Sequence, residues 1–349
     1  MKNNLDFYSG KKILITGNTG FKGSWLSIYL RCLGSSVYGL SDREYDGLYK
    51  MANVNKILSD QLFIDINNTS LDELSEIINR VNPDLVFHLA AQSLVSEAKE
   101  FPLKTLETNM IGTYKILKSV NNNESVDTLV IATTDKVYQF PEHENTEEDN
   151  LLGYEYYSSS KVGAENIINA FINTEKRQAL NIATLRSGNV IGGGDRAKNR
   201  LMTDIVESLF ENNQLHIRNP KSIRPWTYIL DSLTGYLYAG EHCSQNMLCD
   251  IFNLNSKSNN KYSVQYLINT FESVAGQKLN VIFEETDLKE VDTLSIDSSK
   301  AKNILNWHTI YDVEKSLIKI FEWEQHYQKN SDIIFSTQMV EDYIDELNE

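Results

Sequence analysis

Tyr157-Ser158-Ser159-Ser160-Lys161 sets a phenol and an amine four residues apart, which on a helix places both on one face. A phenol with a pKa of about 10 is a poor base at neutral pH, and a neighbouring ammonium lowers that value by stabilising the phenolate. Such a base can take the proton of an alcohol while hydride leaves its carbon. Thr134, closing the apolar run before Asp135-Lys136, stands where it can hydrogen-bond the reacting hydroxyl. Hydride needs an acceptor, and the chain holds a place for one. Gly17-Asn18-Thr19-Gly20-Phe21-Lys22-Gly23 follows a strand-like run and opens a helix-like one, the context that a dinucleotide pyrophosphate requires. Gly17 permits the tight turn, Gly20 the approach of backbone to phosphate, and Gly23 close packing of helix on strand. The helix N-terminus adds amide donors and partial positive charge, and a cationic nicotinamide would reinforce Lys161 in lowering the phenol's pKa.

The adenosine end of such a cofactor is read at the tip of the second strand, here Ser41-Asp42-Arg43. Asp42 suits the ribose hydroxyls of NAD, whereas Arg43 suits the 2′-phosphate of NADP. The acid would repel that phosphate, which favours NAD. Asp65, closing the third strand, suits an adenine contact or a loop cap equally.

The elements that must position these residues alternate in type. Residues 12–16, 36–40, 61–66, 84–89, 128–133 and 181–186 read as strands, and 24–33, 71–81, 103–120 and 157–172 as amphipathic helices. That alternation predicts an α/β fold of Rossmann type, a doubly wound parallel sheet with right-handed crossovers. After residue 187 the pattern loosens into shorter elements and an acidic tail. The expectation is a dinucleotide-binding domain over 1–186, with a returning segment near 225–255, and a smaller mixed α/β substrate lobe over 187–349. His88 and the four tryptophans read as packing residues, Trp226 being the one candidate for substrate stacking. Asn109 could either bond within its helix or shape the site.

Bulk properties exclude several classes. A net charge of −15 argues against nucleic-acid or anionic-membrane binding. No apolar run approaches the roughly 18 residues of a membrane span, and the first residues lack a secretory signal. Cys32, Cys243 and Cys249 are too few and too scattered for a disulfide framework or a zinc site, so no metal and a reducing cytoplasm are expected. Between Arg196 and Arg224, however, six basic residues face three acidic ones, a local excess that suits a diphosphate.

The glycine loop, His88-Leu89-Ala90-Ala91-Gln92, Asn109, Thr134 and the Tyr157/Lys161 pair together resemble the extended short-chain dehydrogenase/reductases that act on nucleotide sugars. Gly20-Phe21-Lys22-Gly23-Ser24-Trp25-Leu26, residues 186–195 and residues 217–226 are similar to the CDP-glucose 4,6-dehydratase branch, over roughly residues 10 to 325. The resemblance implies an NAD-dependent hydro-lyase of deoxysugar biosynthesis that recycles its cofactor. Tyr157 would deprotonate the C4 hydroxyl as hydride leaves C4, water would then leave across C5–C6, and hydride would return to C6. It further implies Asp135 as the acid for the C6 hydroxyl and Lys136 as the C5 base or an enolate stabiliser. Cofactor contacts would come from Gly17, Thr19, Gly20, Phe21, Lys22, Gly23, Asp42, Arg43, Asp65, Ile66, Ala90, Tyr157 and Lys161. Gln92, Asn189, Arg200, Arg218 and Arg224 would hold the nucleotide-diphosphate sugar, CDP-glucose first among them, and the long helices would pair a homodimer. The chain departs from the family's Arg-Pro-Trp-Gln-His pattern at Thr227 and Tyr228. A 4-epimerase or simple dehydrogenase shares the fold and the Tyr–Lys pair but needs no acid at Asp135. A non-catalytic cofactor sensor would not need Thr134, Tyr157 and Lys161 together.

Overall fold

The computed structural model describes residues 5–139, 144–256, 262–284 and 296–349. Strands β1 (Lys12–Thr16), β2 (Ser36–Ser41) and β3 (Asp60–Phe63) alternate with helices α1 (Phe21–Cys32) and α2 (Leu48–Met51). Next come α3 (Leu71–Val81), β4 (Leu85–His88), α4 (Val95–Glu100), α5 (Pro102–Leu106), α6 (Gly112–Asn121), β5 (Thr128–Thr134), α7 (Tyr156–Thr174) and β6 (Asn181–Ser187). The second half holds β7 (Asn189–Ile191), α8 (Leu201–Phe210), β8 (Leu215–Ile217), β9 (Trp226–Tyr228), α9 (Ile229–Asn246) and β10 (Cys249–Leu254). It closes with α10 (Val264–Ala275), β11 (Val281–Phe283), α11 (Ser299–Leu305), α12 (Val313–Tyr327) and α13 (Ile334–Asn348).

Seven strands form one parallel sheet in the order β10-β6-β5-β4-β1-β2-β3. The central strands β1, β4, β5 and β6 are rich in apolar and β-branched residues and are buried on both faces, as a parallel sheet between helices demands. Local chemistry sets the helix ends. Ser70 and Glu73 make a reciprocal capping box on α3, and Asn82 stops it in the left-handed region ahead of Pro83. One core joins α1 and α9 to one face of the sheet, and a second joins α3, α6 and α7 to the other. A third core gathers α8, α10 and α12 around Trp226 and Ile191. Two small parallel pairs, β7 with β9 and β8 with β11, lie beside it.

The structure revises several expected boundaries. Helix α1 begins at Phe21, so Lys22 and Gly23 belong to its first turn and not to the loop. Strand β3 ends at Phe63, which leaves Asp65 and Ile66 beyond it. The helix expected over 103–120 is α5 and α6 joined through a π turn, Glu107–Ile111. The acidic tail forms α13, which docks on α1. Tyr343 stacks edge-on against Tyr29 and donates to the buried Asp231 at 2.8 Å. Trp25, Trp226, Trp307 and Trp323 are all buried, with each indole N–H bonded.

Candidate active site

Because the main sheet is parallel, the carboxyl ends of its strands share one edge, where ligands of open α/β sheets bind. Gly17 after β1, Asp42 after β2, Ala90 after β4, Asp135 after β5, Gly188 after β6 and Asn255 after β10 all stand on it.

The glycine turn is built as the spacing implied. Gly17 has φ +75°, and a Cβ there would lie 2.6 Å from the Ala90 nitrogen. At Gly23 a Cβ would lie 2.2 Å from the Gly17 carbonyl oxygen, so only hydrogen lets α1 pack this close to β1. Gly20 caps α1 without a side chain and opens on free space, apart from the Gly17 carbonyl oxygen at 3.3 Å from a built Cβ. An uncapped helix N-terminus in a glycine cradle fits a pyrophosphate. Thr19 ties the turn to the β2 tip through its hydroxyl, which donates to the Arg43 carbonyl oxygen at 2.7 Å. Phe21 packs beneath Gly192.

At the tip, the Arg43 guanidinium lies 4.7 Å from the centre of the Tyr45 ring, and the Tyr45 hydroxyl donates to Asp42 at 3.2 Å. Asp65 is a turn former: its two carboxylate oxygens accept from Asn67 N at 2.9 Å and Asn68 Nδ2 at 2.8 Å. Ile66 turns its side chain into the core. His88 is a packing residue, bonded to Thr16 at 2.7 Å and Thr113 at 3.2 Å. Burial, reinforced by the Lys161 charge, pushes its pKa down to about 3.

Thr134 ends β5, donates to Asp135 Oδ1 at 3.1 Å and accepts from Lys136 N at 3.3 Å. Tyr157 and Lys161 occupy the first turns of α7, whose cap Glu155 accepts from Tyr157 N at 2.6 Å and Ser158 N at 2.8 Å. Asn109 resolves in favour of shaping the site. From the π turn it bonds Gln92 N and O, both at 2.9 Å, and donates to Ser160 at 2.8 Å, joining the loop after β4 to α7. Arg186 on β6 anchors α7 from below, its Nε donating to both oxygens of buried Glu165 at 3.1 Å.

The electrostatics depart from the sequence reading at one point. Burial pushes Tyr157 up to about 12, against the Thr134 hydrogen bond and the Arg200 charge, which lower it. Lys161 donates to the Ala132 carbonyl oxygen at 3.1 Å, and burial with Lys22 nearby brings it down to about 8. The protein's own groups therefore keep Tyr157 a phenol. Lys136 Nζ lies 5.9 Å from the centre of the Tyr157 ring. Asp135, 2% exposed, is raised above the usual carboxylate range by burial, although Lys136, Thr134, Lys22 and Arg224 all oppose the shift.

Lys22 points away from the loop it was read with. Its Nζ lies 3.4 Å from the Tyr236 hydroxyl, which Ser187 also bonds at 3.1 Å, and its charge acts on Asp135 and Lys161. Burial lowers its pKa to about 8. Tyr236, Ser187 and Asn255 reach the site from α9, β6 and the end of β10, and no local motif marks Tyr236 or Asn255.

The phosphate-side residues are less uniform than their charges implied. Gln92 spends its side chain on the Leu94 backbone, at 2.9 and 2.7 Å. Arg200 pairs with Asp195 at 2.7 Å, and Arg196 is held by buried Glu324 through both of its terminal nitrogens. Two of the six basic residues are thus neutralised by acids outside the counted segment. Arg218 is exposed near Asp204. Arg224, half-buried, lies near enough to act on Asp135, and Asn189 pairs with Trp226 across β7 and β9.

The parallel sheet, the glycine turn after β1 and the Tyr157/Lys161 pair on α7 define an extended short-chain dehydrogenase/reductase. Within that class the chain belongs to the GDP-mannose 4,6-dehydratase family, whose model matches residues 14–320. It is 32% identical to a CDP-glucose 4,6-dehydratase of Salmonella typhimurium strain LT2, covering 97% of this chain and 98% of that protein. A UDP-glucuronate 4-epimerase of Thermodesulfobacterium geofontis is 26% identical over 89% of this chain and 95% of its own. Among solved structures, a UDP-glucose 4-epimerase from Stenotrophomonas maltophila with bound NAD and formylated UDP-arabinopyranose superposes with a TM-score of 0.80. It is 19% identical, over 91% of this chain and 99% of that one.

Proposed function

We propose that this chain is a nucleotide-sugar 4,6-dehydratase that converts CDP-glucose to CDP-4-keto-6-deoxyglucose. The observation that carries the reading is Asp135, a buried carboxyl kept toward its neutral form beside Thr134 and Tyr157. An epimerase or simple dehydrogenase has no use for an acid there. The full-length likeness to the Salmonella typhimurium enzyme supports the same sugar nucleotide.

Gly17, Thr19, Gly20 and Gly23, with Asp42 for the ribose, would hold NAD, which would supply the hydride acceptor for C4, the donor for C6 and a cationic ring that lowers the Tyr157 pKa. Tyr157 takes the C4 hydroxyl proton, with Thr134 aligning that hydroxyl. The resulting 4-keto group acidifies C5, and Lys136, which must be the uncharged amine at that moment, takes the C5 proton. Asp135 gives its proton to the C6 hydroxyl, which leaves as water. Hydride from the reduced cofactor would then saturate C6, Lys136 gives its proton back to C5, and the proton taken by Tyr157 replaces the one given by Asp135, so no net reductant is consumed. Arg224, Asn189 and Arg218 face the diphosphate in this reading, while Arg200 stays paired with Asp195. The sheet, with β10, forms the cofactor half, and the core of α8, α10 and α12 forms the substrate half.

Two further assignments belong to the same reading. A homodimer forms across α5, the π turn and α7, supported by exposed Leu103 and Ile111. The free thiols of Cys32, Cys243 and Cys249 support a reducing, cytoplasmic setting. Among the described residues no helix is long and apolar enough to cross a membrane. Incubation of the protein with CDP-glucose tests the proposal. A product lighter by one water, formed without net reduced nicotinamide, is the expected result. A product of unchanged mass would point to epimerisation, and no turnover of any nucleotide sugar would end the catalytic reading.

A further inference from the structure

We propose that Asn255 is a positioning residue for Asp135, its amide oxygen accepting a hydrogen bond from the carboxyl group that protonates the departing C6 hydroxyl. The inference rests on the dehydratase reading and assigns a residue beyond it. Sheet register brings the two together. Ser187 on β6 stands opposite Thr134 on β5 and Leu254 on β10, so Asp135 and Asn255 flank Gly188 from either side.

Gly188 presents only hydrogen to that space. A Cβ there would lie 2.7 Å from Asn255 Oδ1 and 3.0 Å from Asp135 Oδ2. Two oxygens thus converge on one bare Cα, in a place where both residues are at least nine-tenths buried. Asp135 Oδ1 is occupied by the Thr134 hydroxyl, while Asp135 Oδ2 has no hydrogen-bond partner among the described residues. Two acceptor oxygens that face one small space away from water favour a proton between them. The Asp135 carboxyl is the group able to supply that proton.

Thr227 contacts the amide from its other side, and Asn255 Nδ2, like Asp135 Oδ2, has no hydrogen-bond partner among the described residues. Thr227 Oγ1 accepts from Ser256 N at 2.9 Å, and its single proton points to Asn255 Oδ1 at 3.4 Å. Every charged neighbour of Asp135 works against a neutral acid. Lys136 on its own turn, Lys22 from α1 and Arg224 ahead of β9 all favour the carboxylate. Tyr157, across the site on α7, is itself raised by the Asp135 charge. An acceptor at Oδ2 offsets those cations by bonding to the protonated form alone.

The test is a single-turnover experiment on the NAD-loaded enzyme with CDP-glucose, following C4 oxidation by nicotinamide absorbance and water loss by product mass. Asn255→Leu removes the acceptor while keeping the bulk, and Gly188→Ala drives a methyl between the two oxygens. In both, elimination should slow about tenfold, the value of one buried hydrogen bond, with C4 oxidation held. The alkaline limb of elimination should fall by about one pH unit, because the acid then loses its proton more readily. In an Asp135→Asn background, Asn255→Leu should add nothing. A limb that rises would mean that the amide nitrogen faces a carboxylate, and an unmoved limb would mean no contact; either overturns the proposal. If the wild-type protein eliminates no water from a nucleotide sugar, the dehydratase reading fails on its own. The contact is then read without substrate, as a protonated-carboxyl infrared band that is lost in Asp135→Asn and weakened in Asn255→Leu. A band unchanged in Asn255→Leu would overturn it.

Discussion

Replacing Asp135 with asparagine should separate the two halves of the proposed reaction. The substitution is isosteric at a position only 2% exposed, and the amide oxygen can still accept from Thr134 Oγ1, now at 3.1 Å from Oδ1. Folding should therefore survive. C4 oxidation relies on Tyr157 and Thr134, and exchanging a neutral carboxyl for a neutral amide leaves the charge around Tyr157 unchanged, so that step stays intact. Elimination loses its acid. A positioned general acid contributes about 10²- to 10⁴-fold in rate, or ~3 to 5 kcal/mol of barrier. In a stopped-flow single turnover, the wild-type enzyme should show a transient of reduced nicotinamide that decays as C6 is reduced. The variant should show the rise without the decay, and quenched samples should hold 4-ketoglucose nucleotide that has kept its water. Equal loss of oxidation and elimination would refute Asp135 as the specific acid, and so would normal dehydration.

Three further outcomes follow from the same geometry. Arg186→Met strips the partner from a Glu165 carboxylate whose side chain is 4% exposed, and should cost about 3–5 kcal/mol in urea unfolding; a change near zero would remove the anchor assigned to α7. His88 has its folded pKa lowered to about 3, so the unfolded chain takes up a proton first as pH falls. Its contribution to stability is complete above pH ~6.5 and declines by ~1.4 kcal/mol per pH unit below that, toward pH 3. His88→Gln should flatten that acid slope, and parallel slopes for the two proteins would contradict it. Leu103→Glu combined with Ile111→Glu should yield monomers in sedimentation, whereas an unchanged mass would place any dimer contact elsewhere.

The sequence by itself determined the features that are local in the chain. Strand and helix types were legible because burial on both faces of a parallel sheet leaves β-branched apolar runs, and capping leaves Ser70 with Glu73 and Asn82 before Pro83. The glycine turn and the Tyr157/Lys161 face were legible because each is one turn of backbone. Tertiary structure decided the rest. Lys22 reads as part of a phosphate loop, yet one turn of α1 aims it at Tyr236 and the charge of Asp135. Asp65 reads equally as an adenine contact or a loop cap, and its hydrogen bonds to Asn67 and Asn68 show the cap. Arg196 and Arg200 read as diphosphate ligands until Glu324 and Asp195 pair with them. Tyr157 reads as an activated base, but burial outweighs its neighbours and holds it near 12. Asn255 carries no signal of its own, since only the register of β10 on β6 sets it against Gly188 and Asp135. The physical reason is common to all of these. Backbone periodicity and capping act over a few residues and are written in the chain, while charge pairing, desolvation and the sharing of a proton depend on side chains that meet only when distant strands lie side by side.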